Sequence, residues 1–98
     1  MKIPELLSNE EIIKKASKLQ NWKLDDDHYL KGIFNFKDFS DALDFVVKVG
    51  YIAEKMQHHP EMNLSWGKVI IKIFTHDRGG ITDLDFQFAD KINKIGIN

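Results

Sequence analysis

Residues 38–60 read DFSDALDFVVKVGYIAEKMQHHP, and the architecture follows from this stretch. Phe39, Leu43, Val46, Val47, Gly50 and Ala53 recur at helical spacing along one stripe. Phe45, Val49, Ile52 and Met56 widen that stripe well beyond the usual arc. A helix apolar over so much of its circumference is central to the fold or covered by another subunit. Proline disfavours the α conformation in the residue before it, so Pro60 stops the helix. The spacing predicts one helix over residues 38–58.

Upstream, Ser8-Asn9-Glu10-Glu11 reads as a helix start, a capping residue followed three positions later by Glu. Ile12, Ile13, Ala16 and Leu19 continue at helical spacing, and Asn21 is a plausible stop. Trp22–Asp26 and Tyr29–Phe36 then read as two strands around an acidic turn at Asp25-Asp26-Asp27. Leu30, Phe34 and Phe36 alternate to one face of the second strand, as a half-buried strand requires. Downstream, Met62–Trp66 and Lys68–Thr75 form a second hairpin about Gly67. Val69, Ile71 and Ile73 face one way, Lys72 and Phe74 the other. Residues 76–80 form a loop, and Thr82 caps a last helix with Leu84, Phe88, Ile92 and Ile95 on its inner stripe. The order is helix–hairpin–helix–hairpin–helix. It predicts an α+β fold: a four-stranded antiparallel sheet with three helices packed on one face. Residues 1–98 are expected to form a single domain.

Composition narrows the function classes. With 43% apolar and 30% charged residues, the chain has the balance of an ordinary globular domain. A domain this short has little stability to spare, so self-association would help by hiding apolar surface. A net charge of -1, with lysines and acids interspersed, gives no electrostatic reason to expect nucleic acid as a direct partner. The chain has no cysteine, which removes disulfides, thiolate nucleophiles and Cys-based zinc sites. Residues 1–11 contain neither a secretory signal nor a membrane span, so a cytoplasmic protein with no membrane partner is expected.

The chemistry concentrates in Glu54, His58-His59-Pro60, Trp66, His76 and Asp85. Imidazole is the side chain whose ordinary pKa lies nearest neutral pH. Glu54 stands four residues before His58 on the same helix, where a carboxylate can fix an imidazole's orientation. The negative end of the helix dipole lies close by, so His58 is placed to hold a proton and deliver it. Pro60 stiffens the exit, so both histidines project from a defined backbone. His76 ends a strand and can reach the same region if the hairpin folds back. Asp85, in the first turn of the last helix, could orient a histidine or a substrate.

Each residue also has a structural reading. His58 and His59 could simply end a helix, Glu54 could form a routine helix-face pair, and His76 could be an exposed loop residue. Asp85 would complete a capping box with Thr82. Trp66 could anchor the hairpin, and Trp22 could fill core or stack on a planar ligand. These readings weaken because the residues occur together. No His-Glu-x-x-His motif, P-loop, dinucleotide fingerprint or serine-triad signature is present. Adjacent histidines make a poor bidentate metal site, and no metal is expected.

The pattern Glu54-x3-His58-His59-Pro60, Trp66, His76, Asp85 resembles the signature of the pterin-4a-carbinolamine dehydratases. The likeness extends through residues 34–39 and 53–55 and covers roughly Trp22 to Ile95. It departs at Gln57, where many relatives have Asp, and at Met62, where an aromatic often follows the His-His-Pro-Glu run. The resemblance implies dehydration of 4a-hydroxytetrahydropterin to quinonoid dihydropterin, in recycling of a tetrahydrobiopterin-type cofactor, with no cofactor or metal of its own. It implies His58 and His76 as the acid–base pair, with His59 as a substrate-binding histidine at the catalytic site. Glu54 and Asp85 become supporting groups. Pro60, Gln57, Thr75 and Trp22 are expected to contact the pterin. It also implies a homodimer or homotetramer. The alternative is a non-catalytic dimerisation or assembly cofactor on the same fold, in which His58 and His76 could be replaced without loss.

Overall fold

The computed structural model describes residues 5–25 and 29–95. The expected acidic turn therefore lies partly outside the described residues. Helix α1 (Asn9–Ala16) leads into the hairpin β1 (Trp22–Asp25) and β2 (Tyr29–Asn35). Helix α2 (Phe39–Met56) follows, then the hairpin β3 (Glu61–Ser65) and β4 (Lys68–Ile73). A 3-10 turn (His76–Arg78) and helix α3 (Asp83–Asn93) complete the order. The strands form one antiparallel sheet in the order β1-β2-β4-β3, so each hairpin supplies one central and one edge strand.

The pleat sorts the sheet's side chains. Trp22, Leu30, Phe34, Val69, Ile71 and Ile73 are buried on one face. Ile12 of α1, Ala42, Phe45, Val49 and Ala53 of α2, and Phe86, Phe88, Ala89 and Ile92 of α3 join them in one core. The cross-strand neighbours Lys31, Lys72 and Glu61 lie on the opposite face, beside Asn63 and Ile70. The α+β arrangement with helices on one face is as predicted.

Local chemistry accounts for the helix starts. Ser8 and Glu11 form a complete capping box at α1, Asp38 accepts the Asp41 amide at α2, and Thr82 and Asp85 form a second capping box at α3. Two features of α2 depart from the sequence-based expectation. The inner face of α2 is Ala42, Phe45, Val49 and Ala53, whereas Phe39, Leu43 and Val47 remain 43%, 43% and 47% exposed. The helix is apolar on both flanks, so its periodicity could not say which flank meets the sheet. The helix also ends at Met56, two residues earlier than predicted. Gln57 adopts the left-handed conformation (φ 52°), and the His58 amide closes back on the Ala53 carbonyl at 3.1 Å. Pro60 follows this stop rather than causing it.

Candidate active site

The early stop of α2 decides where the histidine pair points. Had the helix continued through His58, its ring would lie one turn from Glu54. Instead the left-handed residue Gln57 turns the chain, and the His58 ring passes inward to α3. His58 is 6% exposed, and its Nε2 lies 2.5 Å from Oδ1 of the fully buried Asp85. Glu54 pairs with His59 instead, Oε2 to Nε2 at 2.5 Å, and both side chains are exposed. The expected Glu54–His58 pair is thus corrected to Glu54–His59 and Asp85–His58. The cause is the backbone of Gln57, which an i to i+4 count cannot anticipate.

Asp85 is bound on every side. Its Oδ2 accepts the Thr82 amide at 2.8 Å and the Thr75 hydroxyl at 2.9 Å. The Thr75 and Thr82 hydroxyls lie 2.7 Å apart. The Phe88 and His58 rings meet in an edge-type arrangement, with centroids 6.0 Å apart. Asp85 therefore both completes the α3 cap and holds His58. A buried carboxylate needs such partners, because an unpaired one costs several kcal/mol. Among the described residues no fully buried side-chain nitrogen or oxygen lacks a partner.

His76 follows Thr75 directly, and Thr75 is bonded to Asp85, so the chain brings His76 to the same end of the fold as His58. The His76 side chain is exposed and its ring lies against Phe74, centroids 4.0 Å apart. Pro60 is half-buried, and exposed Gln57 spends its amide on the Glu54 carbonyl at 2.7 Å. Trp66 stands 68% exposed at the β3–β4 turn. Trp22 belongs elsewhere. It is 3% exposed, its indole N–H donates to Asn93 at 2.9 Å, and its strand β1 lies at the sheet edge opposite β3. The structure places Trp22 in the core, because that aromatic side chain falls on the inward face of the pleat. Thr82 was read from sequence only as a cap; the signal for more was a second hydroxyl, Thr75, seven residues earlier across the 3-10 turn.

The arrangement offers one imidazole fixed by a buried carboxylate, a second held by a surface carboxylate and a third on the adjoining turn. Such a set can hold and move protons at a small molecule. Among the described residues, no three His, Asp or Glu side chains are grouped as a metal ion requires. No helix among them is long and apolar enough to cross a membrane.

Comparison with known proteins agrees over most of the chain. The profile of the family described as pterin 4 alpha carbinolamine dehydratase matches residues 5–95. A relative from Alkaliphilus metalliredigens named as a pterin-4-alpha-carbinolamine dehydratase is 47% identical, over 90% of this chain and 80% of its own. Relatives of the same name from Rubrobacter xylanophilus and Prochlorococcus marinus are 42% and 46% identical, over 91% and 94% of this chain and 83% and 95% of theirs. The crystal structure of a transcriptional coactivator/pterin dehydratase from Brucella melitensis superposes with a TM-score of 0.84 at 34% identity, covering 89% of this chain and 94% of that one. With a family profile spanning nearly its whole length and a superposable fold, the chain belongs to the pterin 4 alpha carbinolamine dehydratase family.

Proposed function

We propose that this protein is a hydro-lyase that dehydrates 4a-hydroxytetrahydropterin to quinonoid dihydropterin and water. Family membership supports the reaction class, and the placement of His58 supports the mechanism. His58 leaves the helix, is nearly buried, and is held by a carboxylate that is itself saturated with donors.

The chemistry needs two proton movements. Hydroxide is a poor leaving group, so the C4a–O bond breaks once an acid has protonated that oxygen. The N5 lone pair forms the new N5–C4a double bond, and the N5 proton goes to a base. Water leaves and the protein ends with the protons it began with. In this reading, His58 and His76 are the acid–base pair and His59, steadied by Glu54, helps hold the pterin. Positioned proton transfer contributes about 100- to 10,000-fold, adequate for a reaction that also proceeds unaided. The product is the oxidised form that cofactor recycling consumes. We place the protein in recycling of a tetrahydrobiopterin-type cofactor on that ground.

The test uses carbinolamine generated chemically or by a hydroxylase, with its decay followed by absorbance. The expected result is faster decay in proportion to added protein. Decay independent of protein would remove the assignment and favour a non-catalytic assembly role.

The same reading includes self-association. Phe39, Leu43, Val47 and Tyr51 lie at successive four-residue steps on the outer flank of α2 and are 43%, 43%, 47% and 67% exposed. A continuous apolar stripe of this kind is suited to a second copy, in a homodimer or homotetramer.

A further inference from the structure

Two threonine hydroxyls stand behind Asp85, and the hydrogen inventory fixes the direction of every bond between them. Thr82 is 0% exposed and Thr75 4%. A hydroxyl carries one hydrogen. Thr75 gives its hydrogen to Asp85 Oδ2, 2.9 Å away. Thr82 must therefore donate in the 2.7 Å contact between the hydroxyls. Thr82 Oγ1 in turn accepts the Leu84 amide at 3.2 Å. The chain runs one way, from the Leu84 N–H through Thr82 and Thr75 to the carboxylate. Hydrogen bonds aligned in one direction polarise and strengthen one another.

This direction has a consequence at His58. Oδ2 already accepts two donors, from Thr75 and the Thr82 amide, so Oδ1 is the oxygen left for the imidazole. An ionised carboxylate at 2.5 Å from Nε2 requires the hydrogen on Nε2. The neutral ring then carries its lone pair on Nδ1. Which nitrogen of a histidine can exchange a proton is set by the bond the other makes.

We propose that Thr82 and Thr75 are positioning residues for the dehydration: their hydroxyl chain holds Asp85 Oδ2, and so fixes His58 in the Nε2–H tautomer with Nδ1 turned over to the substrate. The proposal rests on the functional reading above and deepens it. It gives Thr75 a different task from the substrate contact expected of it. It also separates Thr82 from an ordinary helix cap, because a cap needs only the oxygen that Leu84 binds, whereas this chain needs the hydroxyl hydrogen.

The test is long-range 1H–15N correlation of histidine-labelled protein at about pH 8.5, some two units above the ordinary imidazole value. Wild-type His58 should show the Nε2–H tautomer and a protected, hydrogen-bonded ring proton. Thr75→Val keeps the shape and leaves the Thr82 oxygen on Leu84, but removes the donor to Asp85. It should lose the protected proton, mix the tautomers and lower kcat by about 10- to 100-fold, the scale of a misplaced catalytic group, with KM within about twofold. Thr82→Val should act in the same direction, and Thr75→Ser and Thr82→Ser should restore both readouts. An Nδ1–H tautomer in the wild type would overturn the proposal without any variant. So would valine variants that keep the Nε2–H signature and lose only thermal stability. The ring signal reports the hydroxyl chain whether or not carbinolamine is turned over, so failure of this proposal and failure of the dehydratase reading are told apart.

Discussion

Asp85 carries three obligations in one carboxylate: it closes the cap of α3, accepts a threonine hydroxyl and holds His58. Replacing it by Asn keeps the volume but removes the charge and forces an amide hydrogen into a site built from donors. Asp85→Asn should lower kcat by about 100-fold through loss of ring orientation. It should also cost about 1–3 kcal/mol of stability, the penalty of leaving a buried donor unsatisfied. Glu54→Gln should behave differently. Its pair with His59 is exposed, and such surface pairs contribute about 0–1 kcal/mol, so its melting temperature should stay nearly unchanged. Steady-state kinetics and thermal melts on the two variants check both halves. The contrast also shows what was legible in the sequence. The candidate set could be picked out because three histidines and two acids stand at a specific spacing. The pairing was not, because it turns on the left-handed backbone of Gln57, a conformation that few side chains other than Gly, Asn and Asp adopt.

At the level of elements, the hairpin β1–β2 depends on Gly32. A Cβ there would stand 2.8 Å from Phe34 and 2.9 Å from Trp22, whose rings pack edge-on over that point. Gly32→Ala should therefore cost about 1–3 kcal/mol by overpacking, measurable as a lower urea midpoint with an unchanged slope. Helices α1 and α3 are linked by Lys15 and Asp83 at 3.3 Å. The Asp83 carboxyl is held below its ordinary value of 3.8, most by the Gln87 amide; burial pushes it up, and Lys15 lowers it further. A carboxyl lowered in the folded state stabilises above its unfolded value, and that contribution is lost as pH falls through the folded value. Asp83→Asn should thus melt slightly below wild type at neutral pH, with the gap closing as the pH drops below about 4. The element order was legible from period and caps: alternation in β2 and β4, Ser8 with Glu11, and Thr82 with Asp85. The inner flank of α2 was not, because Phe39, Leu43 and Val47 are as apolar as the residues that reach the core.

Across the whole molecule, the helices cover one face of the sheet and α2 keeps an apolar flank on the outside. If a second copy covers it, a charge there should separate the subunits and leave each fold intact. Val47→Glu should shift the protein from oligomer to monomer by light scattering after gel filtration, with native circular dichroism. A monomeric wild type would remove the oligomer from this account. The candidate site lies where the end of α2, the end of β4 and the start of α3 meet, at one end of the fold. That convergence joins residues 58, 75 and 85 through hydrogen bonds, and brings residue 76 alongside through the chain.

The most direct measurement is the decay of 4a-hydroxytetrahydropterin in the presence of wild type, His58→Ala and His76→Ala, with circular dichroism recorded on all three. The account predicts that wild type accelerates the decay and that each alanine variant, natively folded, loses most of the acceleration, by about 100-fold or more if each imidazole moves a proton. Undiminished acceleration in both folded variants would contradict it.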